Sequence, residues 1–205
     1  MRISAPLLFS QIAMGKLAAD FALKYPEVRL EVTTEDRSVD MIEEAYDLVI
    51  RVNPEPDESL VGRVFLHDRL MVLASPAMMP PPSGLAVPAV ARGPARQGDG
   101  WNVITPTGKL RIAVDPILNL SSLVMVRDAV RVGVGAARLP VSLVSHDLAD
   151  GTLVHWGDVE GPEIALWTLY PTRRLLSAGV SAFLDFLREA FPQGTPDELA
   201  AYIGR

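Results

Sequence analysis

RVGVGAARLP, residues 131–140, sets Gly-x-Gly inside an apolar run. A dinucleotide-binding loop puts a strand before such glycines and a helix after them, so that the pyrophosphate rests on the helix N-terminus. Here the order is reversed. The preceding stretch SSLVMVRDAVRV, residues 121–132, has helical periodicity, with Ser121 or Ser122 as its cap. The stretch after the glycines, AARLP, reads as a short strand. The third fingerprint position holds Arg138 rather than glycine. Gly133 is therefore read as the residue that ends a helix, where positive φ is cheap only for glycine. The nucleotide reading falls away.

Working outward, the chain alternates strands and helices. RISAP opens with a strand, and LLFSQIAMGKLAADFALKYP reads as one helix, with Ile12, Leu17, Ala18 and Phe21 at helical spacing and Pro26 as its stop. EVRLEVTTE alternates, with Val28, Leu30 and Val32 on one face, and reads as a strand. SVDMIEEAY is expected to be a second helix, capped by Ser38, with Asp40 and Glu43 in its first turns and Ile42 and Ala45 facing inward. DLVIRV is a buried strand. Such a β-α-β-α-β order predicts a mostly parallel sheet with right-handed crossovers. SLVGRVFLHDRLMVLAS gives two more strands split at His67-Asp68, and WNVITPTGKLRIAV returns to strand. Residues 92–100, rich in glycine and flanked by a proline-rich stretch, are expected to be the most mobile. PVSLVSHDLADG is a helix with Pro140 in its first turn and Gly151 beyond its end. EIALWTLY is a strand. SAGVSAFLDFLREAFP carries a stripe of Val180, Phe183, Leu184, Leu187 and Phe191. TPDELAAYI carries the full signature of a capped helix: Thr195, Pro196 and Glu198.

Composition excludes several function classes. The 205 residues include no cysteine, which removes disulfides, thiolate metal sites and cysteine nucleophiles. The formal net charge is −6, so the chain as a whole does not carry the basic balance of a nucleic-acid-binding domain. No apolar stretch approaches the roughly 20 residues of a membrane span. MRISAPLLFSQ lacks a signal-peptide pattern. A cytoplasmic chain is expected. No G-x-S-x-G is present. His67, His146 and His155 show no metal-ligand spacing, and His155 is placed after a strand. No metal and no cofactor are expected, and no catalysis.

The segments MRISAP, FALKYPEVRLEV, DRSVDMIEEAYDLVIRV, RLMVLASPAM, GVGAARLPVSLVSHDLADGTLV and YPTRRLLSAGVSAFLDFL stand in an order that resembles the effector-binding domain of LysR-type transcriptional regulators, in the CrgA-like subgroup. Asp47 and Arg51 occupy the D-x-x-I-R spacing of that resemblance. The resemblance implies an α/β, two-lobed, periplasmic-binding-protein-like (type 2) fold with a mostly parallel sheet in each lobe. Lobe I would hold residues 1–70 plus 167–205 and lobe II residues 71–166, with two crossover strands as hinge. It implies a small-molecule effector bound in the interlobe cleft and a conformational change passed to DNA-binding heads. The winged helix-turn-helix of the family would lie outside this chain. It also implies a homodimer in which the first helix packs near lobe II of the partner copy. Met14, Leu17, Phe21 and Leu23, spread over more than one helix face, agree with that pairing.

In an open α/β sheet, ligands sit beyond the carboxyl ends of the strands. Ser4, Ala5 and Pro6 follow the first strand, Thr34 the second, and Val52 and Asn53 the third, so all converge on one edge. Ser4, Ser121 and Ser122 each adjoin a helix start. They either cap the helix or add an anion pocket at its positive end. The resemblance sets Ser121 and Ser122 on the opposing lobe. Trp101 is either core or cleft wall. The effector is expected to be a small anion. One rival is a free-standing solute-binding protein of the same fold, which needs an export signal. Another is a deaminase-like lyase of tetrapyrrole synthesis on a similar scaffold, which needs a cysteine for its cofactor.

Overall fold

The computed structural model describes residues 1–37, 41, 43–80, 85–94, 99–172 and 176–204. The chain divides into two compact units, Met1–His67 with Ile164–Arg205, and Asp68–Glu163.

Unit 1 is built on strands β1 (Arg2–Ala5), β2 (Glu31–Thr34), β3 (Leu48–Val52) and β4 (Leu60–Asp68) and on the last strand of the chain, Ile164–Pro171. β2 and β3 lie parallel to β1 on either side of it, with Ala5 opposite Thr34 and Ser4 opposite Val49. The last strand runs antiparallel to β3, with β4 beyond it at the sheet edge. Leu48, Val49 and Ile50 are all buried, as both faces of a central strand require. The helical run after β1 has three parts: α1 (Leu7–Phe9), a π-helical segment (Ser10–Met14) and α2 (Gly15–Lys24). The expectation of one regular helix is thus corrected, because the hydrogen-bond pattern widens at Ser10–Met14. Leu17 and Phe21 are fully buried, and Met14 nearly so, in a core shared with Ile3, Leu48, Ile50 and Phe183. Only Leu23 of the four surplus apolar residues projects into solvent, at 83% exposure. Leu23 alone does not make a second apolar face on this helix.

Of the expected helix 38–46, Ser38, Val39, Asp40 and Ile42 lie outside the described residues. Glu43, Glu44 and Ala45 form turns, not helix. Ala45 is left-handed at φ 55°, and the Tyr46 N–H donates to the Met41 carbonyl at 2.9 Å. The Glu44 carbonyl that a helix would use accepts from Arg2 Nη1 at 2.7 Å. That tertiary bond, with Met41 and Tyr46 packed on Val49, outweighs the local helical preference.

Unit 2 holds β5 (Leu70–Ala74), β6 (Val87–Arg92), β7 (Gly100–Thr105), β8 (Gly108–Leu120), β9 (Ala137–Pro140) and β10 (Val154–Val159), with α3 (Leu123–Val132) and α4 (Val141–Ala149). Its strand order is β6-β8-β7-β10-β5-β9. The expectation of a mostly parallel sheet is corrected here: among the described strand pairings β6 with β8 is parallel and the rest are antiparallel, apart from an isolated parallel bridge of Ala89 with Ala136. Pro106 and Thr107 alone join β7 to β8, and so short a link permits only antiparallel pairing. His155 lies within β10 rather than after a strand.

The two glycines of the opening stretch have separate tasks. Gly133 closes α3 at φ 89°, with its N–H donating to the Ala129 and Val130 carbonyls. A Cβ on Gly135 would lie 2.7 Å from the Pro88 carbonyl oxygen, so that residue admits close passage of the β6 backbone. Chain order then completes unit 1: β11 (Ile164–Pro171), α5 (Ala178–Ala190) and α6 (Pro196–Ile203). Ser177 caps α5 through the Val180 N–H, and Val180, Phe183, Leu187 and Phe191 are buried. In α6 Thr195 and Glu198 form the reciprocal capping box.

Candidate functional site

The first three strands of unit 1 end on one edge, since β1 lies between two parallel neighbours. Ser4 is fully buried in β1 and caps no helix, a correction to the capping reading. Its Oγ accepts from Arg51 Nη2 at 2.9 Å. The residue at the helix N-cap is Pro6, which has no hydroxyl, and the Leu7 N–H donates to Asp36 Oδ1 at 2.8 Å. The chain's own carboxylate thus meets the first amide of that helix. Ala5 is buried; its carbonyl accepts from the Glu35 N–H at 3.0 Å, just beyond Thr34. Ser4, Ala5, Pro6 and Thr34 therefore share one neighbourhood. Val52, 45% exposed, and Asn53 end β3 on the side of β11. Asn53 is left-handed at φ 41°, and it exchanges two bonds with Ala165: its N–H donates to the Ala165 carbonyl, and its Oδ1 accepts the Ala165 N–H at 2.8 Å. That pairing fixes the strand end.

Arg51 is the residue at this edge that reading by element missed. Its signal was the D-x-x-I-R spacing, which indicated family membership but not a contact. The guanidinium is half-buried, and burial holds its pKa below the ordinary arginine value, opposed by Tyr46, Glu35 and Asp36.

In unit 2, Ser122 is the N-cap of α3, with extended backbone and an Oγ that accepts the Val124 N–H at 3.3 Å. Ser121 is exposed and is not the cap. No acidic residue occupies the first turn of α3. Trp101 is 7% exposed and packs within the unit 2 core beside Val72, Val103 and Ile112; the Arg138 guanidinium lies 5.9 Å from its ring centre. Asp68 is buried, and its carboxylate accepts from the Ser142 Oγ–H and from the Arg69 N–H at 2.8 Å. Burial pushes its carboxyl above the usual aspartate range, against the pull of those donors. Among the described residues no group of three metal-ligating side chains gathers, and no helix is long and apolar enough to cross a membrane.

Two α/β units of this topology have the periplasmic-binding-protein-like type 2 fold. The fold matches the regulatory domain of AphB from Vibrio vulnificus (24% identity, TM-score 0.72, covering 92% of this chain and 96% of that one). It matches the CrgA regulatory domain from Neisseria meningitidis (22%, TM-score 0.76, covering 93% and 98%) and the effector domain of AmpR of Pseudomonas aeruginosa (20%, TM-score 0.70, covering 100% and 98%). The chain belongs to the LysR substrate binding domain family, whose model matches residues 1–192. Among curated relatives, the HTH-type transcriptional regulator PtxR of Pseudomonas aeruginosa is 27% identical over 92% of this chain and 63% of its own length. DmlR of Escherichia coli is 26% identical over 96% of this chain and 67% of its own. The chain spans 63% to 66% of the length of the first three relatives it matches.

Proposed function

We propose that the chain is the effector-sensing part of a transcriptional regulator, that it binds a small anionic ligand without transforming it, and that ligand binding biases the geometry of DNA-reading heads in a longer protein. The family match over residues 1–192 carries this reading, and it favours a regulator over a free-standing solute-binding protein. The residues proposed for ligand contact are, within unit 1, Ser4, Ala5, Pro6, Thr34, Val52 and Asn53 and, within unit 2, Trp101, Ser121 and Ser122. The first set shares the carboxyl edge of parallel strands. Ser122 and Ser121 stand at a helix start that carries no acidic residue of its own. The protein acts as a homodimer in the cytoplasm, where the DNA lies. DNA binding itself belongs to segments other than this chain, whose net charge is −6.

The test is thermal unfolding against small carboxylates. A ligand at a hundredfold excess over Kd stabilises the native state by about 2.7 kcal/mol. The double substitution Ser121→Ala, Ser122→Ala should remove most of that shift. Retention of the full shift would show that the serines serve the helix alone. Submicromolar duplex binding by this chain at moderate salt would contradict the assignment of DNA contact to other segments.

A further inference from the structure

We infer that Arg51 is the group that recognises the ligand's charge, and that the ligand is a monocarboxylate gripped by this guanidinium beside Ser4. This deepens, and rests on, the effector-site reading above.

Arg51 lies in β3 close to its carboxyl end, on the edge where the parallel strands β1, β2 and β3 finish. Its Nη1 donates to the Ile50 carbonyl at 2.7 Å and its Nη2 to Ser4 Oγ at 2.9 Å. Both acceptors are neutral. A guanidinium has five N–H donors, so these bonds leave donors for a ligand. Among the described residues no carboxylate stands within ion-pair distance of it. Other arginines of the same unit are paired: Arg2 with Glu31 at 3.2 Å and Arg37 with Glu44 at 2.7 Å. A half-buried cation without a counter-ion is costly to keep, and such groups collect at functional sites.

Ser4 gives the arrangement direction. It is fully buried, and its oxygen fixes one arm of the guanidinium from the neighbouring strand. The first N–H of the helical run is not open to the ligand's anion, because it already meets Asp36. The charge of the ligand follows from the surroundings. Glu35 and Asp36 both bear on Arg51 without pairing with it, and Arg37 opposes them less strongly than the two acids together. They disfavour a dianion such as phosphate, whereas a planar single charge matches the fork in two parallel bonds.

The experiment measures binding of butanoate and benzoate, of their neutral amides butanamide and benzamide, and of inorganic phosphate, by calorimetry and thermal shift. The wild-type chain should bind an acid in preference to its amide, and phosphate more weakly than that acid. Arg51→Gln should lose roughly tenfold or more in acid affinity and no longer distinguish acid from amide. Arg51→Lys keeps the charge but not the fork. It should bind the acid more weakly than wild type yet still prefer it to the amide, and it carries the test if Arg51→Gln does not fold. The inference is overturned if the wild type shows no preference for acid over amide, if Arg51→Gln keeps the full preference, if Arg51→Lys loses it while folded, or if phosphate binds as tightly as the acids. Ligand binding that Ser121→Ala, Ser122→Ala abolishes but Arg51→Gln leaves intact would overturn the role of Arg51 alone. The effector site itself would then stand.

Discussion

Each unit holds an arginine against a neighbouring strand or helix, but the two units meet its charge in opposite ways. In unit 1 the half-buried Arg51 meets a serine hydroxyl and a backbone carbonyl. In unit 2 Arg131, near the end of α3, donates Nε–H to Asp147, which is 1% exposed on α4. The Arg131–Asp147 bond raises the Arg131 pKa, while burial lowers that of Arg51. The Arg131 arrangement is complete within the chain and joins α3 to α4. The Arg51 arrangement has no carboxylate at ion-pair distance among the described residues. The difference separates a structural ion pair from a recognition group, and it can be measured.

The largest effect should come from breaking the complete pair. Arg131→Met leaves the Asp147 carboxylate buried without its cation. Its Oδ2 already has no hydrogen-bond partner. The expected loss is about 3 kcal/mol in urea unfolding, at the lower end for a buried pair because Arg131 itself is partly exposed. Adding Asp147→Leu should recover much of that loss. A loss below about 0.5 kcal/mol would reduce the bond to an ordinary surface pair.

Asp68 comes next, and its signature is pH. Its carboxyl sits above the ordinary aspartate value in the folded chain because burial opposes its charge. Between the unfolded value, about 3.9, and the higher folded one, the native state holds more protons than the unfolded state. Stability contributed by this group therefore falls as pH rises through that window, and it is flat above the folded value. Asp68→Asn should remove that falling component. It should also cost about 1–2 kcal/mol at neutral pH by weakening the bonds from Ser142 and Arg69. Melting temperature against pH, wild type beside variant, is the measurement. Parallel curves would show that another group titrates.

A smaller contrast lies between adjacent serines. Ser122→Ala should cost about 1 kcal/mol through the lost cap on the Val124 N–H. Ser121→Ala, at an exposed position that caps nothing, should stay within about 0.5 kcal/mol. Equal losses at both positions would reassign the cap.

The parts of the fold that were legible in the sequence are those held by short-range chemistry. Gly133 at the end of α3, the capping box of Thr195 and Glu198, and the stripe on α5 each involve residues a few positions apart, so their types announce them. What escaped depends on distant partners. The turn at 43–45 follows from Arg2 taking the Glu44 carbonyl across 42 positions. The Ser4–Arg51 bond spans 47 positions, and no local pattern distinguishes it from a helix cap. The antiparallel β7–β8 pairing follows from the two-residue link at Pro106-Thr107, but the pairings of β10 with β5 and β7 and of β5 with β9 join strands far apart in sequence. The candidate edge of unit 1 was legible because strand order alone places it. The charge that serves it was not.

The smallest expected effect is the most discriminating. Arg51→Gln removes a cation that is desolvated and unpaired by any carboxylate among the described residues. Its bonds to Ile50 and Ser4 are offset by the cost of holding its charge out of water. Glutamine retains a donor that can meet Ser4 Oγ, so the hydroxyl need not be orphaned. In the absence of ligand, stability should change by no more than about 0.5 kcal/mol, against the roughly sixfold larger loss expected for Arg131→Met. Urea unfolding of both variants in one carboxylate-free buffer tests the pair directly. If Arg51→Gln loses as much as Arg131→Met, Arg51 is a strut of the β1–β3 edge and its charge is already satisfied at home. If its stability holds while carboxylate binding falls, the guanidinium is maintained for a partner outside the chain.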